Sequence, residues 1–136
     1  CSNAFGFSSK LAPHKFQSSQ NIYKRNGYEG IKNDTIEKNE LLSNLGINVN
    51  LAPVADVSTN SKDYIYKRSF GKNANETSEY IKTVIKAGKT TNVSNVLKHF
   101  PGYGNNVDTH TGISVDKRTL QSFRESDFLP FKAGID

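Results

Sequence analysis

The sequence predicts an α/β fold made of parallel strand–helix units, and three observations lead to this prediction. Two apolar segments, residues 47–57 and 96–100, have the composition of short strands, and helical periodicity precedes, separates and follows them. Strands that alternate with helices in this way form parallel sheets. Titratable side chains gather where the two strands end, which is the edge where such folds bind ligands. Two strands cannot close a sheet, so we expect a part of a larger α/β unit.

The first predicted helix covers residues 28–45. Residues 5–26 are rich in Ser, Asn, Lys and Gln and have little periodicity, so an irregular lead-in is expected before it. The apolar residues at helical spacing are Tyr28, Ile31, Leu41, Leu42 and Leu45. Gly46 follows them and suits the C′ position of a helix.

A polar loop over residues 58–72 leads to the second predicted helix. Asn73 and Glu76 have the spacing of a capping box at its start. Its apolar face is formed by Tyr80, Ile81, Val84 and Ile85.

The remaining segments are a turn, a loop and a C-terminal helix. Residues 92–95 are predicted to form a turn before the second strand, and residues 101–118 a long loop after it. The tail begins with a helical turn, and a further helix starts near Ser126, with Pro130 in its first turn.

The composition of the chain argues against nucleic-acid binding and against a membrane-spanning segment. The 136 residues suffice for one small domain, and the net charge of +5 comes from basic residues that are scattered along the chain. This pattern indicates a solvated lysine-rich surface and not a nucleic-acid-binding arm. No apolar run approaches the roughly 20 residues of a membrane span. Cys1 is the single cysteine, so no disulfide forms within the chain.

The first residues raise a separate question. The chain contains no methionine, and residues 1–4 are typical of the remnant left by tag removal, so we assign residues 5–136 to the domain. Alternatively, Cys1 is the lipid-bearing first residue of a mature bacterial lipoprotein. The sequence therefore leaves a cytoplasmic, secreted or lipid-anchored location open.

The loop after the second strand contains a candidate proton-transfer pair. Asp108 and His110 are two positions apart, which places both side chains on one side of an extended loop. The carboxylate would accept the imidazole N–H, fix its tautomer and stabilise the imidazolium. A histidine held in this way can protonate a leaving oxygen and later deprotonate water. A loop histidine with a chance acidic neighbour is the alternative.

Three basic side chains form a candidate substrate-binding group. Lys98 and His99 are adjacent at a strand end and point to opposite sides while the strand stays regular. A break at Pro101 would turn both inward, where they could donate hydrogen bonds to hydroxyl groups. Arg68, in the loop after the first strand, could clamp a hydroxyl or a carboxylate. Solvent-facing positions remain the alternative for all three.

The same segment could also be considered a site for a metal ion or a phosphate group. His99, Asp108 and His110 are acceptable zinc or manganese ligands, but their spacing matches no tight metal motif and Lys98 would repel a cation. Residues 101–104 (PGYG) lack the spacing of a phosphate-binding loop. We therefore expect no metal and no cofactor.

Four segments together resemble the N-terminal barrel domain of glycoside hydrolase family 3, in particular its bacterial β-N-acetylhexosaminidase branch. They occur in family order and are residues 50–57 (NLAPVADV), 68–71 (RSFG), 98–110 (KHFPGYGNNVDTH) and 127–131 (DFLPF). The resemblance implies a (β/α)8 TIM barrel and a retaining hydrolase that removes terminal β-linked N-acetylglucosamine from an oligosaccharide.

The resemblance also implies a role for each candidate residue. His110 is the catalytic acid/base and Asp108 its partner. Lys98, His99 and Arg68 bind the sugar. Asp56 is expected to be structural or to contact the sugar-binding residues without touching the sugar. Tyr103 stands where many members have histidine, and at most a tuning effect is expected from it.

The chain also departs from the family pattern. The Asp-Gln/Glu-Gly-Gly signature of the first barrel strand has no match, and the family's nucleophilic aspartate lies on a strand beyond residue 136. A complete barrel typically needs about 250 residues. We therefore expect the middle of a barrel, inactive alone, whose uncovered sheet edges and helix face lead to self-association. The alternatives are a non-catalytic carbohydrate-binding fragment and a metal-dependent hydrolase.

Overall fold

The structure, a computed structural model, describes residues 13–136, so the predicted tag remnant at residues 1–4 lies outside the described residues. The elements are α1 (Ser19–Asn44), β1 (Val49–Asn50), α2 (Ala74–Gly88), β2 (Ser94–Asn95), α3 (Leu120–Ser122), a π-helical turn (Phe123–Asp127) and α4 (Phe128–Ile135). The predicted order of helices and strands is confirmed within this range.

Helix α1 begins earlier than predicted. Ser18 caps it by accepting the N–H of Asn21 at 3.2 Å, so the irregular lead-in ends at residue 18 and not at residue 26. Gly27, with φ 59° and ψ −152°, then interrupts the helix close to the predicted start. The first turns escaped prediction because polar contacts help to hold them: the Gln20 amide donates to the carbonyl oxygens of Tyr66 and Ser69.

The buried face of α1 is more polar than predicted. Ile31, Thr35 and Asn39 lie under the rest of the chain at a spacing of four residues, whereas Leu45 is 43% exposed. Asn39 is fully buried, and its amide donates to Thr91 Oγ1 at 3.0 Å and to Asn95 Oδ1 at 3.2 Å. The buried polar atoms are thus satisfied by partners on the second half of the fold.

The two strands are parallel and short. Val49 pairs with Ser94 and Asn50 with Asn95. A further parallel bridge joins Val54 to Lys98, so the register shifts by one residue between them. The prediction of a turn over residues 92–95 is wrong for residues 94 and 95, which form β2. Asn95 fits a strand because its side-chain amide donates to the Ala52 carbonyl oxygen at 3.0 Å.

Helix α2 contributes much of the core. Asn73 caps it through the predicted bond, with Oδ1 accepting the Glu76 N–H at 2.9 Å. Of the predicted apolar face, Ile81 is fully buried, and the ring of Tyr80 stacks on that of Phe70 at 4.5 Å. Because Phe70 is buried here, the loop that carries Arg68 is anchored to the core.

The C-terminal helical segment is continuous from Leu120, whereas a separate helix near Ser126 was predicted. Thr119 caps it by accepting the Ser122 N–H at 3.2 Å. The π-helical turn widens the helix just before the buried Pro130, which cannot donate a backbone hydrogen bond. Among the described residues, no helix is long and apolar enough to cross a membrane.

Candidate active site

A buried carboxylate joins the ends of the two strands. Asp56 is 1% exposed, and its Oδ2 accepts the backbone N–H of His99 at 3.1 Å and lies 2.7 Å from the ring Nδ1 of His99. Its other oxygen, Oδ1, accepts the Tyr103 N–H at 2.7 Å. Asp56 therefore fixes both the backbone and the imidazole at the start of the loop. This pairing could not be predicted from the sequence, because 43 positions separate Asp56 from His99.

The basic group gathers around this carboxylate. The Arg68 Nη2 lies 3.5 Å from the Nε2 of His99, while the ring Nδ1 faces Asp56. Burial and the nearby Arg68 cation lower the pKa of the Lys98 ammonium. The peptide between Lys98 and His99 is cis, as is the one between Phe100 and Pro101.

The Asp108–His110 contact forms in a turn and not in the extended loop that was predicted. Asp108 Oδ1 accepts the backbone N–H of His110 at 3.0 Å and lies 2.7 Å from its ring Nδ1. The Asp108 carbonyl oxygen also accepts the Thr111 N–H at 3.2 Å. These bonds to His110, backbone first, hold the pKa of the Asp108 carboxyl below its usual range. We call residues 108–111 the dyad turn; the proton-transfer role of its histidine stays a prediction.

An arginine fastens the base of the long loop. Arg118 donates to Asp127 Oδ1 at 2.8 Å, to the Gly102 carbonyl oxygen at 3.0 Å and to both oxygens of Asp116. Its guanidinium also lies 4.2 Å from the centre of the Phe123 ring. These contacts join the two ends of the loop to the C-terminal helix, and sequence analysis did not identify them.

Two tyrosines connect the halves of the site. The Tyr103 hydroxyl accepts the Thr109 N–H at 2.8 Å, and its ring meets the His99 ring at 5.7 Å. The Tyr64 ring lies 5.5 Å from the Tyr103 ring, and burial, followed by the nearby Asp108 carboxylate, raises the pKa of the Tyr64 hydroxyl. Tyr64 escaped sequence analysis because its segment has no catalytic motif; its position in the same loop as Arg68 was the available signal.

The structure thus arranges the predicted site residues as two histidine–carboxylate pairs, with Lys98 and Arg68 beside the first pair and Tyr103 in contact with both. Over residues 13–136, no group of three or more His, Cys, Asp or Glu side chains has the arrangement to hold a metal ion. The arrangement can bind hydroxyl groups at the buried pair and exchange a proton at the exposed one.

The sequence profile of the glycosyl hydrolase family 3 N-terminal domain matches residues 9–136. The chain therefore belongs to glycoside hydrolase family 3. Both histidine–carboxylate pairs therefore lie within the N-terminal domain of this family.

Individual relatives agree with this assignment. The chain is 38% identical over 92 residues to beta-hexosaminidase A of Pseudoalteromonas piscicida, covering 66% of this chain and 15% of that protein. It is 32% identical over 91 residues to a beta-hexosaminidase of Xylella fastidiosa strain M23, covering 66% of this chain and 27% of the relative.

A solved structure confirms the predicted fold class. A family 3 glycosyl hydrolase from Mycobacterium smegmatis superposes with a TM-score of 0.80 at 26% identity, over 91% of this chain and 38% of that one. The parallel strand–helix units of this chain are thus a part of a (β/α)8 barrel. The chain spans well under half the length of each of these three relatives.

Proposed function

We propose that the chain forms the acid/base half of the active site of a retaining glycosidase that removes terminal β-linked N-acetylglucosamine. The observation that supports this most is the dyad turn, in which Asp108 holds the ring Nδ1 of His110 while the histidine side chain stays 59% exposed. The curated relatives named beta-hexosaminidase support the substrate class.

The chemistry follows from these positions. Lys98, His99 and Arg68 would hold the hydroxyl groups of the terminal sugar, with His99 oriented by Asp56. His110 would donate the proton on Nε2 to the glycosidic oxygen as the bond breaks, while Asp108 stabilises its orientation. In the second step the neutral ring would take a proton from water. The nucleophilic carboxylate is expected on a strand beyond residue 136, by resemblance to the family.

Turnover of a chromogenic N-acetyl-β-glucosaminide tests the proposal. The full-length gene product should hydrolyse it, and Asp108→Ala should lower kcat by roughly 100-fold or more, as for loss of a general acid/base. Residues 1–136 alone should show no turnover. Robust turnover by this chain alone that disappears in Asp108→Ala would disprove the expectation of a missing nucleophile.

A carbohydrate-binding fragment without catalysis is the second candidate, and the half-exposed basic group beside Asp56 favours it. It predicts millimolar binding of N-acetylglucosamine that depends on Lys98 and His99 but not on His110. Chemical-shift titration of Lys98→Ala and His110→Ala separates the two candidates when combined with the turnover assay. A metal-dependent hydrolase would instead retain stoichiometric zinc or manganese after dialysis.

Self-association is proposed on the exposed apolar surface near the strands. Val49 is 45% and Val96 is 41% exposed, and a cavity of about 330 Å³ beside β1 is lined by apolar side chains of α1 and β1. We expect dimers or larger species in light scattering at high concentration, and Val49→Lys should reduce them. A clean monomer at high concentration would argue against this proposal.

A further inference from the structure

Resting on the proposed function, we propose that Tyr64 and Tyr103 are positioning residues that hold the dyad turn against the sugar-binding half of the site. Together they are called the tyrosine brace. Neither side chain transfers a proton in this proposal; each fixes the groups that do.

Tyr103 spans the distance between the two halves. Its backbone N–H donates to the buried carboxylate of Asp56 at 2.7 Å, so its main chain is fixed to the strand ends. Its side chain extends to the dyad turn, where the hydroxyl accepts the Thr109 N–H at 2.8 Å and lies 3.1 Å from Thr109 Oγ1. One residue thus links the carboxylate that orients His99 to the backbone between Asp108 and His110.

Tyr64 approaches the same turn from the neighbouring loop. Its ring lies 5.5 Å from that of Tyr103. Ile65, the next residue, is fully buried and anchors this loop to the core. Tyr64 therefore supports the Tyr103 ring from the side of the anchored loop.

The brace matters because the dyad turn has little packing of its own. Thr109 and His110 are exposed, and Ile113, just beyond the turn, is 96% exposed. A general acid must sit within hydrogen-bond reach of the leaving oxygen, and small displacements cost rate. The hydrogen bond from the turn to the Tyr103 hydroxyl, with the Tyr64 ring packed beside Tyr103, fixes a position that apolar burial does not fix.

Phenylalanine substitutions test the brace in the chain itself, because they keep the rings and remove the hydroxyls. In Tyr103→Phe, hydrogen exchange at the Thr109 amide should accelerate roughly threefold or more by NMR, as for loss of one hydrogen bond. Tyr64→Leu should accelerate the same exchange, because Tyr103 loses its ring contact, whereas Tyr64→Phe keeps the ring and should leave the exchange unchanged. Tyr66→Phe is the matched control, since Tyr66 hydrogen-bonds through its backbone in the same loop.

The outcomes separate the brace from a general structural role. Faster exchange at Thr109 in Tyr103→Phe and in Tyr64→Leu, but not in Tyr64→Phe, supports it. Unchanged exchange in the first two variants, or an equal change in Tyr66→Phe, would overturn it. These readouts need no substrate, so a full-length product without hydrolase activity would refute the proposed function while leaving the brace standing.

Discussion

The two histidine–carboxylate pairs have nearly the same contacts and very different surroundings. In each, a carboxylate oxygen lies 2.7 Å from the histidine Nδ1 and accepts that histidine's own backbone N–H, at 3.1 Å for Asp56 and 3.0 Å for Asp108. The Asp56 side chain is fully buried, whereas that of Asp108 is 26% exposed.

We propose that this difference separates a structural pair from a reactive one. Asp56 connects segments 43 positions apart and also accepts the Tyr103 N–H, so its loss would disconnect the strand ends. Asp108 contacts a residue two positions away, and the His110 side chain remains 59% exposed. Bond length alone therefore does not reveal the role of such a pair; burial and sequence separation do.

The largest expected effect is that of Asp56→Asn on stability. The amide offers one acceptor oxygen and places an NH₂ group among three N–H donors, so buried hydrogen bonds to a charged group are lost. We expect the free energy of unfolding to fall by about 3 kcal/mol. Urea denaturation at pH 7 measures this, and a change within error would show that the pair is not structural.

The second-largest expected effect on stability is that of Gly102→Ala. Gly102 has φ 130°, and a Cβ there would collide with the Asp127 carboxylate. We expect destabilisation of about 1–3 kcal/mol in the same denaturation experiment. Gly112→Ala is the matched control, because a Cβ at Gly112 meets nothing within 4 Å. Equal effects of the two substitutions would contradict the collision argument.

Acid should break the ion pair between Asp116 and Arg118 only at a pH below the ordinary pKa of a carboxyl group. The Arg118 side chain lowers the pKa of Asp116 from 3.8 to about 2. The stabilising contribution of a carboxyl with a lowered pKa is present above 3.8 and is lost as the pH falls toward 2. Carboxyl-carbon NMR should show this midpoint, and Arg118→Met should move it up toward 3.8. A midpoint near 3.8 in the unchanged chain would rule the ion pair out in solution.

The smallest expected effect on stability is that of Asp108→Asn. Its contacts lie within one exposed turn, so the urea midpoint should match that of the unchanged chain within error, while turnover by the full-length product falls. A stability loss comparable to that of Asp56→Asn would remove the distinction between the two pairs.

The sequence allowed prediction of the fold class and of the candidate residues, since short motifs and helical periodicity are local signals. The pairing of Asp56 with His99 and the ring contact of Tyr64 with Tyr103 could not be predicted, because they depend on how separate loops meet. The early start of α1 was missed for a related reason, since Gln20 is held by distant carbonyl oxygens. Tertiary contacts between polar groups leave no periodic trace in a sequence.

The amide network around Asn39 has a consequence for how this domain can diversify. It joins α1 to the strands at Asn50 and Asn95, before the bridge between Val54 and Lys98, whereas the two pairs follow that bridge along the chain. Changes in the loops that carry Tyr64, Tyr103 and the dyad turn can therefore accumulate without disturbing the joint that aligns helix and sheet. The helix–sheet joint thus stays constant while the loops of the site vary, and new substrate preferences can evolve through changes in those loops.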